Sequence, residues 1–92
     1  MPRVQVTKKF QKDLKLLVKK DIVLLDLINQ HIKWFKSRPN SKILRNHTLK
    51  RRMHGRSAFS ITNDIRIVYI WKSKNVARFL TIGPHIEVYK RK

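Results

Sequence analysis

The chain has 92 residues, and its 23 Lys and Arg against five Asp and Glu give a formal net charge of +18 at pH 7. With no cysteine it has no disulfide framework, thiolate metal site or thiol nucleophile, and its longest apolar run, IVLLDLI, is far too short to cross a bilayer. Self-repulsion at this charge destabilises a small fold unless an anion relieves it, so the expected partner is polyanionic, with nucleic acid or a ribonucleoprotein first.

A chain of this length is expected to form one domain, residues 1–92, burying only ~60–65% of the surface its unfolded form exposes. The opening MPRVQVTKKF lacks the apolar core of a secretory signal. A cytoplasmic protein without a membrane partner is therefore the expectation. Residues 3–6, RVQV, alternate like a short strand. Thr7 is placed to cap a helix over KKFQKDLKLLVKK, in which Phe10, Leu14, Leu17 and Val18 fall on one stripe. Asp21 serves as a second cap, after which Ile22, Leu25, Ile28, Ile32 and Phe35 carry helical spacing to about Lys36. Two helices joined by so short a turn predict an antiparallel hairpin.

Pro39, between Arg38 and Asn40, breaks the helix and opens an irregular basic connection. From residue 57 the period becomes that of strands: 57–62, then 65–71 after an Asn63-Asp64 turn, then 76–82 after KSKN. Gly83-Pro84 ends the last of these, and Ile86 to Tyr89 can extend again. Helices in the first half and strands in the second predict an α+β fold, the helix pair packed on one face of an antiparallel sheet.

Four histidines are available for chemistry. His31, inside the second helix, suits a structural position, and His54 in the basic loop has no evident partner. His47 and His85 each stand at the edge of a predicted element, and the hairpin carrying Asp64 and Arg66 can lie between them. Cleavage of an RNA phosphodiester needs a base for the 2′-OH proton, an acid for the leaving 5′ oxygen and positive charge on the phosphorane. Imidazole suits the first two tasks near neutrality, and a guanidinium suits the third. Three of the five acids, Asp13, Asp21 and Asp26, belong to the helices, leaving Asp64 and Glu87. That is too few carboxylates for a two-metal nuclease, and although zinc on His47, Asp64 and His85 has the right ligand types, it lacks short ligand spacing. No metal and no cofactor are expected.

At these residues the chain resembles the RelE/ParE superfamily of type II toxin–antitoxin toxins, and within it the branch similar to YafQ. The resemblance runs through NHTLK (46–50), FSITNDIRIVY (59–69) and TIGPHIEVY (81–89), behind an N-terminal strand and helix hairpin. It implies a small ribonuclease, an mRNA interferase that enters the ribosomal A site and cuts messenger RNA without a metal, held in check by a cognate acidic antitoxin. It also implies site roles for His47, Asp64, His85 and Tyr89: His85 as general acid, His47 and Asp64 as base or base orienter, and Tyr89 against the substrate. Arg66 corresponds to an arginine that RelE-like members use on the scissile phosphate, where YafQ has an apolar residue. Lys50, Arg51, Arg52 and Arg56 would contact phosphates.

Two positions depart from the YafQ pattern. Ser60 stands where it has a further histidine and Ile65 where it has a tryptophan. ParE-like relatives, which poison DNA gyrase on the same fold, lack the His/Asp/His set. A gyrase poison, a non-catalytic nucleic-acid-binding module and an inactive family member are the alternatives to the nuclease.

Overall fold

The computed structural model describes residues 2–48 and 55–84, with His47 described by its backbone. Strand β1, Arg3–Val6, leads to Thr7, whose extended backbone lets its hydroxyl accept the Phe10 N–H at 3.0 Å and so start helix α1, Lys8–Lys20. The same hydroxyl donates to the Leu80 carbonyl at 3.0 Å, tying the helix start to the sheet. Helix α2 spans Val23–Ser37. Ile22 holds the half-in position before it, while the Asp21 carboxylate accepts the Val23 N–H at 3.2 Å; the capping group thus sits one residue further out than a simple N-cap. The helix stops at Ser37 because Arg38 precedes Pro39 and is forced out of the helical region, to φ −143° and ψ 82°.

A 3₁₀ turn, Lys42–Leu44, and a two-residue strand β2, His47–Thr48, occupy the connection that shows no periodicity in the sequence. Elements of two or three residues are too short to display a period, and Leu44, fully buried, is what anchors this segment. Strands β3, Ser57–Ser60, β4, Ile65–Ser73, and β5, Val76–Pro84, follow. The first is two residues shorter than the sequence pattern and the other two run two residues longer.

The sheet of the described residues has five strands in the order β1-β5-β4-β3-β2. Neighbours from β2 to β5 are antiparallel, but β1 runs parallel to β5, with Val4 opposite Ala77 and Val6 opposite Phe79. The sheet is therefore mixed, where the sequence suggested antiparallel pairing throughout. The parallel pair needs a long crossover, and all of the chain from α1 to β4 supplies it.

The helices cover one face of this α+β fold. Phe35 is fully buried at its centre, stacked on Phe59 at 4.9 Å and edge-on to Tyr69 at 4.9 Å and Phe79 at 5.4 Å. Phe10 brings α1 to Phe79 at 5.5 Å. Asp13 adds a polar clasp, accepting from Lys9 on its own helix and from the Thr81 hydroxyl on β5. His31 is structural, as its setting in the helix suggested: it is 7% exposed, lies edge-on to Trp34, and has Nδ1 2.8 Å from the Leu27 carbonyl. A carbonyl only accepts, so Nδ1 carries the proton. No helix among the described residues is long and apolar enough to cross a membrane.

Candidate active site

Side chains alternate across a strand, so the residues next to core positions turn to the other face. Phe59 pairs with Ile67 and Ile67 with Ile82, all three in the core. One step along, Ser60 pairs with Arg66 and Arg66 with Gly83, which makes a cross-strand row on the face away from the helices. Within it the Arg66 Nη1 donates to Ser60 Oγ at 2.8 Å and Nη2 reaches the Asn63 carbonyl at 3.5 Å. The Arg66 Nε is buried and has no hydrogen-bond partner among the described residues. Ser60 is itself only 2% exposed.

The turn before Arg66 is wider than an Asn-Asp pair. The Ile61 N–H donates to the Ile65 carbonyl at 2.8 Å and encloses Thr62, Asn63 and Asp64. The Thr62 hydroxyl closes the loop from inside by accepting the N–H groups of Asp64 at 3.1 Å and Ile65 at 2.9 Å. Arg45 grips it from outside: its Nη2 donates to the Thr62 carbonyl at 3.3 Å and to Asn63 Oδ1 at 3.2 Å. Arg45 does so from a left-handed backbone, φ 49°, a conformation costing a non-glycine residue about 1–2 kcal/mol. Asp64 is exposed at the tip. It makes no ion pair with Arg66; among the described residues the acid in such a pair is Asp13, with Lys9 at 2.9 Å.

A second brace lies toward His47. The Tyr69 hydroxyl donates to Asn46 Oδ1 at 2.8 Å, and Asn46 Nδ2 donates to the Pro39 carbonyl at 2.8 Å, which pins the chain just before β2. Burial raises the Tyr69 pKa above its ordinary 10.0, against opposing hydrogen bonds from Asn46, Ser57 and Trp71. The His47 backbone pairs with Ala58, two residues along β3 from Ser60. Pro84, the last residue of β5, pairs with Ile65, so that strand ends level with the Asp64–Arg66 end of the hairpin.

The structure thus brings Asp64, Arg66 and the end of β5 to one end of the sheet, with the start of β2 paired two residues back along β3, and it places Arg56 exposed just before β3. Lys50, Arg51, Arg52, His85 and Tyr89 lie outside the described residues. No group of three or more His, Asp or Glu that could hold a metal occurs among the described residues. Two participants escaped the sequence reading. Arg45 and Asn46 sit directly before His47 in RNH, a segment without periodicity, and their hydrogen bonds to distant residues left no signal in the sequence. Ser60 stood out only as a departure from a pattern.

Solved structures with the same fold cover nearly all of the chain. YafQ from E. coli BL21(DE3) aligns with a TM-score of 0.80 at 17% identity, over 98% of this chain and 100% of its own. A metal-bound toxin from Helicobacter pylori aligns at 0.80 and 27% identity, over 97% and 100%. The E. coli DinJ–YafQ complex contributes a further match, at 0.73 and 20% identity over 98% and 100%. Comparison with curated protein sequences gives no match. The family model described as bacterial toxin of type II toxin–antitoxin system, YafQ, matches residues 2–90. With practically every residue inside that match, the chain belongs to the YafQ toxin family.

Proposed function

We propose that the protein is the toxin of a toxin–antitoxin pair and acts as a ribosome-dependent, metal-independent endoribonuclease that cleaves messenger RNA in the A site and so inhibits translation. The observation that carries this reading is the Arg66 guanidinium. It is held at the end of the sheet by a hydroxyl and a carbonyl and, among the described residues, is paired with no carboxylate and has a buried Nε without a partner. A cation so placed is suited to a phosphate.

In the reaction the 2′ oxygen of the message attacks the neighbouring phosphorus as its proton passes to a base, His47 or Asp64, one of which orients the other. The P–O5′ bond breaks and His85 gives its proton to the leaving oxygen. The products are a 2′,3′-cyclic phosphate and a 5′-hydroxyl. Arg66 stabilises the dianionic phosphorane, Tyr89 positions the substrate, and Lys50, Arg51, Arg52 and Arg56 hold the flanking phosphates. The net charge of +18 favours an acidic antitoxin as the cytoplasmic partner, in keeping with the DinJ-bound structure of the E. coli relative.

The test compares cleavage of one message, free and in a stalled A site. Translating ribosomes are expected to accelerate wild type by orders of magnitude through orientation. His85→Ala and Arg66→Ala should each lose ~10²–10⁴-fold of the ribosome-dependent rate while retaining most RNA affinity. Wild type that cuts neither substrate would transfer the protein to the class of binders or inactive members, for which Ser60 in place of the family histidine is the motivating residue.

A further inference from the structure

A guanidinium is planar and offers five N–H donors in a fixed fork. Fixing one Nη therefore fixes the plane and the direction of every other donor. In Arg66 that fixed point is Ser60: the two residues are direct cross-strand partners, and the 2.8 Å contact from Nη1 to Ser60 Oγ is much shorter than the 3.5 Å from Nη2 to the Asn63 carbonyl, its other bond among the described residues. Ser60 is 2% exposed and flanked on its face by the fully buried Ala58 and Val68. A hydroxyl this deep acts through what it holds, since it offers solvent almost no surface.

The chemical type of the holder also matters. A carboxylate at position 60 would fix the guanidinium equally well but would neutralise it and fill its fork. A serine hydroxyl accepts one N–H and leaves the charge undivided. Among the described residues the buried Nε has no partner, so Ser60 and Asn63 leave part of the fork open. Native interiors carry few such donors.

We propose that Ser60 is the positioning residue of the site, orienting the Arg66 guanidinium toward a phosphodiester without neutralising it. The proposal deepens the reading of Arg66 as the phosphorane-stabilising cation and rests on it. It also joins Ser60, a departure from the YafQ pattern, to Arg66, which stands where YafQ has an apolar residue, since the two form one contact.

The experiment reads the arginine directly. In ¹⁵N-labelled protein the Arg66 Nε–H resonance is assigned by its loss in Arg66→Lys and followed as a short oligoribonucleotide, blocked by 2′-O-methyl groups, is added. In wild type the resonance should move as phosphate engages the fork. In Ser60→Ala, checked as folded by circular dichroism, the movement should be lost, and the cleavage rate on programmed ribosomes should fall on the order of 10–10²-fold in kcat with KM little changed. Ser60→Cys, which keeps the volume but offers a weak acceptor, should fall between the two and serves if the alanine variant does not fold. In an Arg66→Lys background Ser60→Ala should cost nothing further, whereas a merely structural serine would cost the same in both.

An Nε resonance that ignores the oligonucleotide in wild type, or that responds equally in wild type, Ser60→Ala and Ser60→Cys, overturns the proposal. A response present in wild type and absent in Ser60→Ala, from a protein that cuts no message, upholds Ser60 as the positioning residue and removes the nuclease reading alone.

Discussion

Neighbouring residues of β3 and β4 enter two chemically opposite regions. Phe59 and Ile67 turn to the helix face, where Phe35 gathers four aromatic rings within 5.8 Å. Ser60 and Arg66, one step along each strand, turn to a row that contains a hydroxyl, a guanidinium and a donor without a partner. Each fully buried large apolar side chain contributes about 1.5–3 kcal/mol, while an unsatisfied buried donor costs about 1–3 kcal/mol. The core outweighs the site several times over. The helix face carries most of the strands' apolar burial, and the polar row sits on the other face at the end of the sheet, beyond Ala58 and Val68. Mutations on the two faces should accordingly separate stability from activity.

The largest effect is expected on the core face. Phe35→Ala removes a ring in contact with Phe59, Tyr69, Phe79 and Trp71 and should destabilise the protein by about 3–5 kcal/mol. For a small domain that is a large part of the usual 5–15 kcal/mol. Urea denaturation would register it as a lower midpoint with an unchanged slope. A loss under about 1 kcal/mol would show that the aromatic cluster is not the frame on which the site rests.

That frame was largely legible in the sequence. Thr7 and Asp21 stand just outside their apolar stripes and do cap the helices, and the strand period of the second half persists through Ile65–Ser73 and Val76–Pro84. Pairing was less legible, because nothing local in RVQV says that its partner is β5 or that it runs parallel. The site was half legible. Asp64 and Arg66 stand out as charges on a hairpin, and in the fold they form no ion pair with each other. A two-residue turn at Asn63-Asp64 would set Ile61 opposite Arg66. The wider turn closed by Thr62 shifts the register by one and brings Ser60 there instead. A one-residue slip exchanges the two faces of a strand, so the arginine's partner was decided by a threonine hydroxyl that no periodicity records.

The brace between the two regions gives an intermediate effect, and one that pH should tune. Tyr69 packs its ring in the core and donates its hydroxyl to Asn46, beside His47. Tyr69→Phe should cost about 1–2 kcal/mol at neutral pH, because Asn46 Oδ1 loses its donor. Burial raises the folded-state pKa above the ordinary 10.0. Below pH 10 the phenol is neutral in both states and its contribution is whole. As pH rises from there through the folded value, the unfolded chain loses its proton first, and the contribution drains away. The difference in unfolding free energy between wild type and Tyr69→Phe should therefore shrink above pH 10. Taking that difference cancels the titration of the lysines. A difference that stays constant to pH 11 would contradict a burial-dominated shift.

The smallest effect is the most discriminating, because its sign is unusual. Replacing Arg66 by Met keeps an unbranched stem of similar length and deletes the buried unpartnered Nε; replacing Ser60 by Ala at the same time deletes the hydroxyl that would otherwise be left without its donor. Exchanging both members of a buried polar pair for apolar groups is often neutral or stabilising, whereas removing one is costly. The double variant Ser60→Ala/Arg66→Met should thus equal wild type in stability or exceed it by about 1 kcal/mol, while Arg66→Met alone should fall slightly below the double variant. Both should have lost cleavage on programmed ribosomes. Parallel urea titrations and cleavage assays decide the matter. A drop of more than about 2 kcal/mol in the double variant would mean that the polar row helps to hold β3 against β4, and that the sheet's two faces share the burden of stability. Equal or greater stability in an inactive protein would place the row where excess positive charge and an unfilled guanidinium fork already point, toward a phosphate that the protein must wait to meet.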